Sequence, residues 1–265
     1  MLYTVKLMPS DTEMGGPNGE FPPTQYSALL DLVHPEPPRR KQALDTLMLA
    51  YWKPVYKYIR IRNSVPNEDA KDLTQAFFTR VLEKGFFEDY DPKKSRFRTF
   101  IRVCLDRFLS NEQKAAKSLK RGGTALHFSL NYDAVEEEIR DLPLAHQMDN
   151  ESFFYREWIR SLFGLVIEAL RTECSTAGRE IPFQLFERYD IEGPQLVEKP
   201  SYGQLAREYN LTLSQVTNHL AFIRRRFREL TLERLRSLTG SDEEFETEVS
   251  RLLGPIGEQK NPPSK

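Results

Sequence analysis

Residues 201–230 read Ser201-Tyr202-Gly203-Gln204-Leu205-Ala206-Arg207-Glu208-Tyr209-Asn210-Leu211-Thr212-Leu213-Ser214-Gln215-Val216-Thr217-Asn218-His219-Leu220-Ala221-Phe222-Ile223-Arg224-Arg225-Arg226-Phe227-Arg228-Glu229-Leu230. Ser201 with Gln204, and Thr212 with Gln215, are two capping boxes, in which a hydroxyl and an amide side chain satisfy the unpaired N–H groups of a helix start. The first predicts a helix opening at Tyr202 that buries Leu205, Ala206 and Tyr209. A tight turn at Asn210-Leu211 separates it from the second helix. There Leu213, Val216, Leu220, Ile223, Phe227 and Leu230 step by alternating threes and fours. A short helix, a tight turn and a longer helix, polar at its start and Arg-rich later, is the pattern of a helix-turn-helix. In that reading Ser214, Gln215, Thr217 and Asn218 face base edges, with His219 beside them. Arg224, Arg225 and Arg228 then neutralise phosphates. A corner of an ordinary helical bundle leaves a similar pattern.

Upstream, Phe154, Trp158, Leu162, Leu165, Val166, Ala169 and Leu170 predict a long amphipathic helix, Phe183 to Tyr189 predict a shorter one, and Glu192 to Pro200 form a loop. Nearer the start, Leu44, Leu47, Met48, Tyr51, Trp52, Val55 and Ile59 mark a helix over 43–62 with one buried face. A second helix, from about Glu68 to Lys84, buries Leu73, Phe77, Val81 and Leu82. A third starts near Ser95 and buries Phe97, Phe100, Ile101, Cys104, Phe108 and Leu109. No run of strands is legible. The expected fold class is all-α, with two helical domains joined by a flexible linker. The expected bounds are an irregular Pro- and Gly-rich leader over 1–38, a first domain over 39–123 and an acidic linker over 124–150. A second domain over 151–236 and an acidic amphipathic tail over 237–265 follow.

The chain has 265 residues, of which 39% are hydrophobic and 29% charged, a composition suited to a globular protein and not to a disordered one. No apolar run is long enough to cross a bilayer, and Met1 to Pro9 lacks the layout of a secretion signal, so no membrane insertion and a cytoplasmic location are expected. Cys104 and Cys174 stand alone, and His34, His127, His146 and His219 are scattered, so neither a disulfide framework nor a metal site is expected. Phosphate loops, dinucleotide fingerprints and nucleophile elbows are all missing from the sequence, and no cofactor and no enzymatic activity are expected.

The formal net charge of −1 hides strong segregation. Lys93, Lys94, Arg96, Arg98, Arg102, Arg107, Lys114, Lys117, Lys120 and Arg121 are opposed within their stretch only by Asp106 and Glu112. The arginines at 224–228 form a second basic cluster, and acidic stretches at 133–141 and 242–248 balance both. In the first zone Phe86, Phe87, Tyr90, Phe97 and Phe100 interleave with the cations. Aromatic platforms in a cationic groove suit single-stranded nucleic acid. Phe97 has core spacing and is expected to be buried; Phe100 fits either a core position or a stacking platform. Asp72, Gln75 and Thr79 share one polar helix face suited to a protein partner.

The stretch Glu68-Asp69-Ala70-Lys71-Asp72-Leu73-Thr74-Gln75-Ala76-Phe77-Phe78, followed by Asp91-Pro92-Lys93-Lys94-Ser95-Arg96-Phe97-Arg98-Thr99-Phe100-Ile101, resembles region 2 of sigma-70-family RNA polymerase sigma factors, above all the extracytoplasmic-function group. Residues 201–230 resemble region 4 of the same family. The resemblance implies that Asp72, Gln75 and Thr79 face the beta-prime clamp helices of core RNA polymerase. It implies that Lys93, Lys94, Arg96, Arg98, Phe100, Arg102, Arg107, Asn111 and Lys114 serve the melted -10 promoter element. The region 4-like helix would read the -35 element, with the polymerase beta flap as a further partner. The chain departs from the family where many members carry Trp, at Phe100, and where Asn and Asp are usual, at Arg107 and Asn111. Phe245, Val249 and Leu252 give the tail an apolar face that either packs on the second domain or binds a regulator such as an anti-sigma factor. The competing reading is a stand-alone helix-turn-helix regulator that binds duplex DNA as a dimer.

Overall fold

The computed structural model describes residues 28–32, 36–83, 86–116, 130–140 and 148–254. Among them every regular element is helical and no strand occurs, in line with the expected all-α class. No helix among the described residues is long and apolar enough to cross a membrane. The chain divides into two compact units. The described residues of one fall within 26–163 and 237–241, and those of the other within 164–236 and 242–254.

The first unit opens with a short helix, α1 (Ala28–Asp31), followed by α2 (Pro37–Lys57), which has proline in its first turn, where no N–H partner is needed. A π-helical turn, Tyr58–Arg62, extends α2, and α3 (Asn67–Glu83) and α4 (Phe97–Ala116) follow. Their apolar faces meet in an aromatic core. Tyr51 stands edge-on to Phe97 with ring centres 5.7 Å apart, and Phe77 packs on Phe108 at 5.6 Å. Val55, Ile59, Phe97 and Leu105 are fully buried, Phe97 as its spacing predicts.

Three expectations change here. The leader is not irregular throughout, since Leu29, Asp31 and Leu32 are buried; residues 1–27 and 33–35 lie outside the described residues. Within the expected linker, residues 132–140 form a helix, α5 (Tyr132–Arg140), docked on α2. Tyr132 lies edge-on to Trp52 at 5.5 Å and against Tyr56 at 4.9 Å. Glu138 accepts hydrogen bonds from Lys53 at 2.9 Å and Lys57 at 2.5 Å, and Glu136 accepts from Arg60 at 3.1 Å. Acidic residues that looked like a solvated connector are thus the counter-charges of α2. Residues 117–129 and 141–147 lie outside the described residues. Finally, the boundary expected at residue 151 falls inside a helix, α6 (Asn150–Thr176). Its N-terminal part belongs to the first unit, where Phe153, Phe154 and Trp158 are buried and the fully buried Glu157 accepts from Lys57 at 3.0 Å.

In the second unit Val166, Leu170 and Cys174 of α6 are buried, as are Phe183, Leu185 and Phe186 of α7 (Glu180–Phe186). Like Cys104 in the first unit, Cys174 is a free buried thiol. A π-helical turn over Glu187–Glu192 and a short 3-10 turn over Gly193–Gln195 lead to α8 (Tyr202–Glu208), α9 (Leu213–Ser237) and α10 (Asp242–Leu253). The tail expectation resolves toward packing. Phe245, Val249 and Leu252 of α10 are buried, and the Arg236 guanidinium lies 4.8 Å from the centre of the Phe245 ring. Residues 255–265 lie outside the described residues.

Candidate nucleic-acid interface

Both capping boxes form. The Ser201 hydroxyl accepts the Gln204 N–H at 3.2 Å while the Gln204 side chain accepts the Ser201 N–H at 2.6 Å. Likewise the Thr212 hydroxyl accepts the Gln215 N–H at 3.2 Å and Gln215 Oε1 accepts the Thr212 N–H at 2.8 Å. Between α8 and α9 the backbone turns at Asn210, whose φ of 52° is the left-handed conformation that asparagine tolerates better than most residues. The buried face of α9 is Val216, Leu220, Ile223, Phe227 and Leu235. On the open side, Ser214, Asn218 and Arg225 are exposed, and Ala221 and Arg228 are half-buried. Those five positions follow an i, i+4, i+7, i+11, i+14 stripe, so they share one face of the helix. At 1.5 Å per residue, Arg225 lies roughly 16 Å along the helix from Ser214.

The basic cluster divides by direction. Arg225 points to solvent, whereas Arg224 is a buried structural cation and not the phosphate contact expected of it. Its guanidinium donates to both carboxylate oxygens of Asp190, at 2.9 and 3.0 Å, and to the Tyr202 hydroxyl at 3.2 Å. Burial alone would lower the pKa of Arg224, but the hydrogen bonds and charge of Asp190 outweigh it and the net shift is upward. Arg226 is held by Glu173, Glu229 and Glu233 on the unit's own surface. Arg228 has no ion pair among the described residues, and burial moves its pKa down. Gln215 and Thr217 are exposed, yet both serve the helix itself: the Thr217 hydroxyl donates to the Leu213 carbonyl at 2.9 Å.

In the first unit, Asp91 organises the loop ahead of α4. Its carboxylate accepts the Lys93 N–H at 3.0 Å and pairs with Lys94 at 3.3 Å, which holds its pKa below the ordinary aspartate value. Lys93 and Lys94 themselves are exposed, and Arg96 is half-buried. Phe100 is half-buried, with its ring 5.3 Å from that of Tyr90 and 6.1 Å from that of Phe97. Along α4, Phe100, Val103, Arg107, Asn111 and Lys114 repeat at i, i+3, i+7, i+11 and i+14, and the last three are exposed. The helix therefore presents an edge with one aromatic ring at its start and a cation, an amide and a second cation beyond it.

Two expected members of this site face elsewhere. Arg98 is buried, with its guanidinium 4.3 Å from the Tyr155 ring centre and 5.6 Å from that of Trp158. A buried cation held against two α6 aromatics is part of the core and is not offered to a phosphate. Arg102 is half-buried and pairs with Asp106 at 2.7 Å, whose carboxylate also accepts the Tyr58 hydroxyl at 2.7 Å. The α3 face also narrows. Asp72 is exposed and Gln75 half-buried, but Thr79 is enclosed along with Phe77, Phe78 and Val81. Tyr132 of α5 lies beside that face, with Lys71 5.8 Å from its ring centre. Burial and the Asp72 charge push the Tyr132 hydroxyl up, the Gln75 amide pulls it back, and its pKa settles at about 12.

Comparison of the chain with family models, with curated proteins and with solved structures finds no significant match in any of the three. The functional reading therefore stands on the residues and their geometry. Sequence reasoning missed the acidic partners, Asp190 for Arg224 and Glu173 for Arg226, which lie 34 and 53 positions away in the chain. No local pattern signals pairs so distant.

Proposed function

We propose that the chain is a promoter-specificity factor of the sigma type, which binds core RNA polymerase and carries one face for opened DNA and one for duplex DNA. The observation that carries the reading is the presence, in one chain, of two differently built cationic faces. The α4 edge combines a half-buried aromatic ring with exposed Arg107, Asn111, Lys114 and the Lys93-Lys94 loop. Such a surface suits bases that have left the stack, each base–aromatic contact contributing about 1–3 kcal/mol. The α8–α9 pair offers Ser214 and Asn218 near the start of the second helix and Arg225 farther along, an order suited to base edges and then backbone phosphate. The sequence resemblance to sigma regions 2 and 4 supports the same assignment. Asp72, exposed on α3, supports the reading as the residue offered to the polymerase.

The test is association with purified core RNA polymerase by gel filtration. The full chain is expected to co-elute with the enzyme, and Asp72→Arg is expected to reduce co-elution while the circular dichroism spectrum stays unchanged. No co-elution of the wild-type chain, together with tight independent binding to paired duplex half-sites, would replace this reading with a stand-alone helix-turn-helix regulator.

A further inference from the structure

The first turn of α9 carries an apolar side chain that packing leaves outside. Leu213 is 59% exposed, while Val216, Leu220, Ile223 and Phe227 of the same helix are buried. The hydrophobic staple that fixes a helix entry uses the residue before the cap and the fourth residue of the helix, here Leu211 and Val216, and so does not need Leu213. The polar groups around it are largely committed inward. Thr217 has turned its hydroxyl to the Leu213 carbonyl, and Gln215 Oε1 accepts both the N–H and the hydroxyl of Thr212, at 2.8 and 3.0 Å. What this part of the helix offers a ligand is the isobutyl group of Leu213 and the remaining methyl of Thr217, beside the polar pair Ser214 and Asn218.

In the major groove the base edges present hydrogen-bond donors and acceptors and one apolar group, the 5-methyl of thymine. We infer that Leu213 is a specificity-determining residue that packs on a thymine 5-methyl group of the duplex site. This inference rests on the reading of α9 as a duplex-DNA reader and adds the base feature it selects. Leu213 lies on the same turn as Ser214, so its contact falls at the end of the site farthest from the phosphates met by Arg225. The hydroxyl commitments of Thr217 and Thr212 mean that this contact discriminates by methyl burial and not by hydrogen bonding.

The test uses the full chain with core RNA polymerase and the duplex that this complex selects from a random-sequence pool. Each thymine of the duplex contact region is replaced in turn by deoxyuridine, which removes one methyl group and keeps the base pair. One replacement is expected to weaken the wild-type complex about four-fold, the effect of one buried methyl group. Leu213→Ala is expected to bind the unmodified duplex several-fold more weakly and to be indifferent to that same replacement. Its urea unfolding midpoint should match wild type, because the side chain is exposed. Specific duplex binding with no dependence on any thymine methyl would overturn the inference alone. The same deoxyuridine sensitivity in wild type and Leu213→Ala would also overturn it. If neither the chain nor its polymerase complex selects a duplex sequence, the duplex-reading assignment fails with it.

Discussion

Arg224 and Arg225 are neighbours in the chain with opposite roles, and substituting each by alanine separates them. Arg224→Ala removes two charge-assisted hydrogen bonds to Asp190 and one to Tyr202. It also strands the Asp190 carboxylate, whose side chain, like that of Arg224, is only 11% exposed. Breaking a buried pair from one side costs about 3 kcal/mol, since the remaining charge keeps its desolvation penalty without its partner. At a urea slope of about 1.5 kcal/mol/M, that is a fall of about 2 M in the unfolding midpoint of the second unit. Arg225→Ala should stay within about 0.5 kcal/mol of wild type, as exposed surface changes do, and weaken duplex binding across sequences. Urea titrations followed by circular dichroism, alongside fluorescence anisotropy on a duplex, measure both quantities. The double variant Asp190→Leu with Arg224→Leu should regain most of the lost stability, because it leaves no unpaired buried charge. A structural role for Arg224 is ruled out if Arg224→Ala unfolds at the wild-type midpoint while losing as much duplex affinity as Arg225→Ala.

Three further outcomes follow from the same geometry. Replacing Lys93 and Lys94 together by alanine should leave stability unchanged, the Lys94–Asp91 pair being exposed, and reduce the salt dependence of single-strand binding by about 1.4 in log–log slope. Burial alone would raise the pKa of Glu138, but Lys57 and Lys53 outweigh it and lower it. Its contribution to holding α5 is therefore full above the ordinary glutamate value of 4.5 and lost as pH falls through the lower folded-state value. Glu138→Gln should flatten the acid limb of a stability–pH curve. At Asn210, where φ is 52°, glycine should be tolerated, whereas valine should lower the urea-derived stability by about 1–2 kcal/mol.

The parts legible in the sequence were those set by short-range chemistry. Ser201 with Gln204 and Thr212 with Gln215 announce their helix starts because both partners of each capping box lie three residues apart. Phe97 was readable as core because its neighbours at helical spacing are apolar. What the sequence left ambiguous was the destination of each cation. Arg98, Arg224 and Arg225 look alike in a charge count, yet Tyr155, Asp190 and water receive them. Residues 132–140 resembled a connector because their pairing with α2 is ionic as much as apolar, and periodicity counts only the apolar part. The boundary between units falls inside α6, between Phe163 and Gly164, where one exposed glycine within a continuous helix is too weak a mark to read as a domain edge.

Run-off transcription by purified core RNA polymerase on a pool of promoter fragments, with and without the chain, decides whether the chain acts as a sigma-type factor. Start sites are expected that appear only when the chain is present and share an upstream and a downstream sequence element. Asp72→Arg is expected to weaken them. No new start sites, under conditions where the chain binds duplex DNA tightly without polymerase, would contradict a sigma-type role.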